Sequence, residues 1–121
     1  MESINKKIRI CCISDTHNEH RKIDFDGPCG FLEEGEQGDI LIHAGDFCSH
    51  GSEKEVEDFA DWFGKVPFKH KIVIPGNHDK CLDETMYNKY KDFGLPQELK
   101  HPEPIRQYIR NCGENVHYLD H

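Results

Sequence analysis

The sequence predicts an α/β domain on a mostly parallel sheet built from βαβ units. Three observations lead there. Apolar runs at Ile8–Ile13, Ile40–Ile42 and Ile72–Ile74 read as strands, and each is followed at once by a short polar motif. A capped amphipathic helix stands between the second and third runs, as a crossover between parallel strands requires. The motifs recur at an even interval: Asp15 and Asp46 are thirty-one residues apart, as are Asp46 and Asn77.

Taken in order, Ile8-Arg9-Ile10-Cys11-Cys12-Ile13 is a nearly continuous apolar run and predicts a largely buried first strand. From Asn18 to Gly38 the chain carries Gly27-Pro28, Gly30, Gly35 and mixed charge without a helical period. This predicts a long loop holding at most a short hairpin, either functional or a surface insertion. Asp39–His43 is the second strand. Ser52 and Glu55 then form a capping box, and Val56, Phe59, Ala60 and Phe63 put one apolar face on the helix that follows, up to a stop at Gly64. Lys71–Ile74 is the third strand. A second helix is expected near Glu84–Phe93. A third is expected from Pro104, taken as its first residue, with Ile105, Tyr108, Ile109 and Cys112 on one face and an end at Gly113. Val116–Leu119 is a short fourth strand. No internal repeat or low-complexity segment interrupts this plan.

With 121 residues the chain is one domain or part of one. Its formal charge of −8 repels nucleic-acid backbone and anionic membrane, so neither is expected as a partner. The amino-terminal residues lack an apolar segment of signal-peptide length, and no run is long enough to span a bilayer, so the expectation is a soluble, cytoplasmic protein. In that compartment the six cysteines are expected to be reduced. Adjacent Cys11 and Cys12 face opposite sides of a strand, and there is no Cys-x-x-Cys. A redox or zinc protein built on the thiols is therefore disfavoured.

The motifs carry the chemistry. Ligands of open α/β sheets bind beyond the carboxyl ends of the strands. Asp15-Thr16-His17, Gly45-Asp46 and Gly76-Asn77-His78-Asp79 would bring carboxylates, imidazoles and a carboxamide together there. Such a set of oxygen and nitrogen donors suits a divalent metal centre used for phosphate chemistry. Asp15 and His17 suit the first metal, Asp46 a bridging position and Asn77 the second metal. Gly45 would let the backbone approach the ions. His78 would reach the substrate and protonate a leaving alkoxide or stabilise phosphoryl charge, with Asp79 holding its ring. Bound divalent metals would reverse the sign of the acidic charge locally, so an acidic chain could still accept an anionic phosphate ester.

These motifs, in this order, resemble the calcineurin-like metallophosphoesterases, whose pattern runs Asp-x-His, Gly-Asp, Gly-Asn-His-[Asp/Glu], a lone His and Gly-His-x-His. Cys12-Ile13-Ser14-Asp15-Thr16-His17, Leu41-Ile42-His43-Ala44-Gly45-Asp46-Phe47 and Asn115-Val116-His117-Tyr118-Leu119 are similar to the metallophosphoesterase-domain-containing branch. The resemblance implies a four-layer α/β/β/α sandwich of which residues 1–121 form the amino-terminal half, a single partial domain. It implies Asp15, His17, Asp46 and Asn77 as metal ligands and His78 as the catalytic histidine. It implies two divalent ions, manganese, iron or zinc, and hydrolysis of a small phosphoester or nucleotide, most specifically a phosphodiester, by a metal-bridging hydroxide.

The later motifs have no counterpart: after His78 the histidines are His101 in an expected loop, His117 in a strand as a half-buried residue, and the terminal His121. The first metal then keeps Asp15, His17 and Asp46, and the second only Asp46 and Asn77, so at most one ion is expected to be well held. The chain by itself is expected to be weak or inactive as an enzyme. The alternative is a non-catalytic half-domain that binds a metal or a protein, with self-association or a partner on an uncovered apolar sheet face.

Overall fold

The computed structural model describes residues 7–27, 30, 32–92 and 100–119. Four strands, β1 (Ile10–Ile13), β2 (Gly38–His43), β3 (Phe68–Val73) and β4 (Val116–Tyr118), lie in the order β1-β2-β3-β4, every neighbouring pair parallel. Between β2 and β3 runs α1 (Glu53–Phe63), and between β3 and β4 run α2 (Glu84–Tyr90) and α3 (Pro102–Arg110). This is an α/β fold consistent with part of a calcineurin-like sandwich.

Helix α1 forms where its local signals lie. Ser52 caps the Glu55 N–H while the Glu55 carboxylate accepts from the Ser52 N–H, which satisfies two of the amides a helix start leaves free. Val56, Phe59, Ala60 and Phe63 are all fully buried. At the other end Lys71 reaches from β3 and donates its Nζ to the Gly64 carbonyl at 2.8 Å. The core is aromatic: Phe59 stacks on Phe47 at 4.1 Å and on Phe63 at 5.0 Å, and meets the buried His43 ring edge-on at 5.1 Å. Phe47 follows Asp46 directly, so its burial anchors the loop that carries that carboxylate.

Several expectations are corrected. β1 is not a buried strand: it starts at Ile10, forms the edge of the sheet, and alternates exposed with half-buried residues. Burial depends on what covers a strand, and nothing among the described residues covers the Ile10 and Cys12 face. β3 begins at Phe68, three residues before Lys71, because the Gly38 and Phe68 ends pair. α3 starts at Pro102 instead of Pro104: His101, extended as a residue before proline must be, accepts the Glu103 N–H on its Nδ1 at 3.2 Å. His101 is therefore a helix cap, not a loop residue. Ile105 and Ile109 are buried, whereas Tyr108 sits at the rim and donates its hydroxyl to Asp61 at 2.9 Å. His117 is exposed, not half-buried, since it shares the open face with Ile72. Phe93, the expected end of the second helix, and His121 lie outside the described residues.

The segment between β1 and β2 contains no strand among its described residues. It has a single 3-10 turn at His20–Lys22, and then it packs. Phe25 and Leu32 join the core, with Phe25 edge-on to Phe68 at 5.1 Å and parallel to Trp62 at 6.0 Å. His20 is fully buried beside Phe59 and Trp62 and bonds Asp58 of α1 through Nε2 at 2.8 Å. A loop with this much apolar contact closes one end of the core and is no loose surface insertion. Among the described residues no helix is long and apolar enough to cross a membrane.

Candidate metal centre

The three motifs emerge from the carboxyl ends of β1, β2 and β3, and backbone hydrogen bonds tie the first to the second. Asp15 N–H donates to the Gly45 carbonyl at 2.9 Å, His17 N–H to Asp46 at 3.1 Å and Asn18 N–H to Phe47 at 2.7 Å. The chain takes up left-handed backbone to do so: φ is 56° at Asp15, 42° at His17, 65° at Asn18 and 60° at Asp46. Such conformations cost about 1–3 kcal/mol each outside glycine and persist where surrounding contacts dictate them. Their concentration in two motif loops marks the site independently of the side chains.

One ligand atom from each of Asp15, His17 and Asp46 can be chosen so that all three lie within 4.8 Å of one another. His17 Nδ1 lies 3.2 Å from the Cys48 carbonyl oxygen, which can only accept, so Nδ1 carries the proton and Nε2 keeps its lone pair. That Nε2 faces Asp15 Oδ1 at 3.8 Å. An imidazole held through one nitrogen by a carbonyl, with the other nitrogen bare, is the usual arrangement of a metal-ligating histidine. The hydrogen bond to Ser14 holds the Asp15 carboxyl below its ordinary range, so it is anionic at neutral pH. Two carboxylates and an imidazole are a donor set that fits a divalent cation.

The third motif is placed differently. His78 N–H donates to Asp46 Oδ1 at 2.8 Å. The Asn77 amide nitrogen, in the orientation that satisfies it, donates to both Asp46 oxygens at 3.0 and 3.1 Å. Asn77 thus touches the same carboxylate expected to bridge two ions, as an amide donor. The His78 ring packs edge-on against the His17 ring, centroids 4.8 Å apart, and its Nδ1 lies 3.2 Å from the Ser49 carbonyl. His78 Nε2 is left without a proton by the argument that applies to His17. Asp79 does not hold the His78 ring. Its buried carboxylate accepts from the Asp46, Cys48 and Gly76 N–H groups, each at 2.8 Å, and joins the second loop to the third. Burial raises its pKa and the three N–H bonds only partly offset that.

Gly45 has a steric reason to lack a side chain. Its φ is 106°, and a side chain there would run into Gly76, whose backbone nitrogen lies 2.8 Å from the position of an added Cβ. A Cβ on Gly76 would in turn lie 2.2 Å from Asp46 Oδ1. The glycines let two loops approach each other. One contributor went unread in the sequence. His43 is fully buried at the end of β2, accepts the Gly45 N–H on Nδ1 at 3.1 Å and donates from Nε2 to Thr16 Oγ1 at 2.8 Å. It links the first two motifs from beneath, and burial lowers its pKa to about 4, so it is neutral. Its signal was a histidine closing an otherwise apolar strand.

An all-parallel sheet whose strand-end loops gather an Asp-x-His pair and a Gly-Asp carboxylate fits a metallophosphoesterase-like domain with a candidate, incomplete metal site. The comparison with protein families agrees: the calcineurin-like phosphoesterase model matches residues 8–120, and the chain belongs to that family. Metallophosphoesterase domain-containing protein 1 of Homo sapiens is 41% identical over 111 residues, covering 86% of this chain and 31% of its own length. The Mus musculus protein of the same name gives the same values. A UPF0046 protein of Caenorhabditis elegans is 45% identical over 78 residues, 64% of this chain and 25% of its own length. The chain thus spans about a third or less of these relatives.

Proposed function

We propose that this chain is a metal-binding half-domain of the metallophosphoesterase type that holds one divalent cation between Asp15, His17 and Asp46. The observation that carries the reading is the convergence of those three ligand atoms within 4.8 Å, on loops cross-bonded by their own backbones. Manganese, iron and zinc all accept this donor set. Among the described residues no second group of three His, Cys, Asp or Glu ligands accompanies the first. A second ion would have only Asp46 and Asn77 here, and Asn77 would have to turn its amide oxygen towards it. The uncovered sheet face is a further place for a protein partner or a second copy.

The second reading is phosphoester hydrolysis, with a phosphodiester or nucleotide as the most specific substrate, by a longer protein of which this chain supplies part. What supports it is His78, whose ring packs edge-on against His17 with Nε2 bare. A bound cation would supply Lewis acidity and a more acidic water. His78, once protonated at Nε2, would give a proton to the departing oxygen, and the Ser49 carbonyl would keep its ring in place.

Calorimetric titration of the 121-residue chain with Mn2+ and Zn2+, beside Asp46→Asn, tests the first reading. One ion per chain is expected, and binding at least about tenfold weaker in the variant. No saturable binding to the folded wild-type chain would overturn it. Hydrolysis of bis-p-nitrophenyl phosphate in the same samples decides between the readings. Absence of turnover leaves the binding module, and metal-dependent turnover abolished by Asp46→Asn establishes the enzyme.

A further inference from the structure

We propose that Glu55 is a positioning residue for both site imidazoles, acting by clamping the Cys48–Ser49 turn whose two carbonyl oxygens hold His17 and His78. The turn is a single short device with two outputs. The Cys48 carbonyl faces His17 Nδ1 and the Ser49 carbonyl faces His78 Nδ1, each at 3.2 Å. The Ser49 hydroxyl also donates to the His17 carbonyl at 2.8 Å. Whatever fixes these two peptide units therefore fixes which nitrogen carries the proton in both rings.

Two carboxylates hold the turn. Asp79 takes the Cys48 N–H from below. Glu55 takes the Ser49 N–H at 2.5 Å and the His50 N–H at 3.1 and 3.2 Å. A capping-box glutamate needs to bond only the N-cap N–H, and Glu55 does so at Ser52, 3.1 Å away. The additional bonds to Ser49 and His50 lie upstream of the helix and do nothing to cap it. Burial raises the Glu55 pKa, but the N–H bonds from Ser52, Ser49 and His50 outweigh it and leave the group below its ordinary range, so the clamp is charged at neutral pH. Charge-assisted bonds of this kind are about twice as strong as neutral ones. A neutral imidazole free of partners favours the Nε2–H form, the wrong one for ligation through Nε2, so the carbonyl contacts reverse an intrinsic preference.

The consequence for affinity rests on the metal-binding reading, whereas the tautomers are measured without metal. Long-range 1H–15N correlation spectra of the metal-free chain should show both rings protonated at Nδ1. In Glu55→Ala the ratio of Nδ1–H to Nε2–H forms should fall by about 2–10-fold at His17 and His78, the worth of one ordinary hydrogen bond. Ser52→Ala removes the hydroxyl cap but leaves the Ser49 and His50 bonds, and should leave both ratios unchanged. A folded Glu55→Ala chain with wild-type tautomers would overturn the proposal, as would Ser52→Ala shifting them equally. If Glu55→Ala does not fold, Glu55→Gln, which loses one of the two acceptor oxygens, is read in its place against the same criterion. In the metal arm, Zn2+ affinity should drop about 10–100-fold in Glu55→Ala. A wild-type chain that binds no Zn2+ yet shows the tautomer shift would reject the metal reading and uphold this one.

Discussion

The two faces of the sheet use the same strands to opposite ends. On one face Leu41, His43, Lys71, Val73 and Tyr118 are buried, with His43 against Phe59 of α1 and β4 against α3. On the other, alternate residues of the same strands carry Ile10, Cys12, Ile42, Ile72 and His117 in register across the sheet. There Ile10 is 55% exposed, and Ile8 and Leu119, which extend the face, are 65% and 52% exposed. The strands read equally apolar on both faces, so hydropathy alone did not decide which would be covered. The covered face shows what holds the motif loops: Phe47 and His43 plant Asp46 and Thr16 in the aromatic core.

The covered face depends most on Phe59, which touches Phe47, Phe63 and the His43 ring at once. Phe59→Ala should cost about 3–5 kcal/mol by urea denaturation. It should also weaken metal binding, because the residue that anchors the Asp46 loop loses its stacking partner. A loss under about 1 kcal/mol would mean that the aromatic cluster is not what organises the covered face.

The covered face also makes stability depend on pH. His43 titrates at about 4 in the folded chain because burial penalises its charge, against an ordinary 6.5 when unfolded. Between those values the unfolded state binds the extra proton, so stability rises with pH. The contribution is complete above 6.5 and is lost on acidification towards 4, at most about 3 kcal/mol. His20, buried and lowered in the same way, acts in the same direction. Asp79, whose pKa burial raises, acts in the opposite direction in the more acid part of the range. His43→Gln should flatten the slope between pH 6.5 and 5, measured as unfolding free energy against pH. An unchanged slope would assign it elsewhere.

What the sequence disclosed follows the range of each interaction. Helix α1 was legible to its ends because Ser52, Glu55, the Val56–Phe63 spacing and Gly64 are local signals. The Asp15, His17 and Asp46 group was legible because strand ends in a parallel sheet share one edge. The start of α3 was misread by one proline choice, since Pro102 and Pro104 both satisfy the rule and only the His101 cap distinguishes them. The roles of Asp79 and His43 were out of reach. Asp79 is joined to Asp46 and Cys48, and His43 to Thr16, across 27–33 residues of chain. Their partners are backbone groups or a hydroxyl, which carry no motif of their own.

The smallest effect belongs to the open face. Ile10 buries little against its own chain, so Ile10→Ser should change unfolding free energy by no more than about 0.5 kcal/mol. The measurement gains force when repeated at two protein concentrations tenfold apart. A small, concentration-independent change is what an uncovered face predicts. A loss of several kcal/mol that grows with concentration would mean that another copy of the chain covers Ile10 in solution, since association stabilises a folded state by mass action. The contrast between the faces would then describe the isolated chain and not its assembly, and the edge strand β1 would be a buried strand after all, as its apolar run suggested.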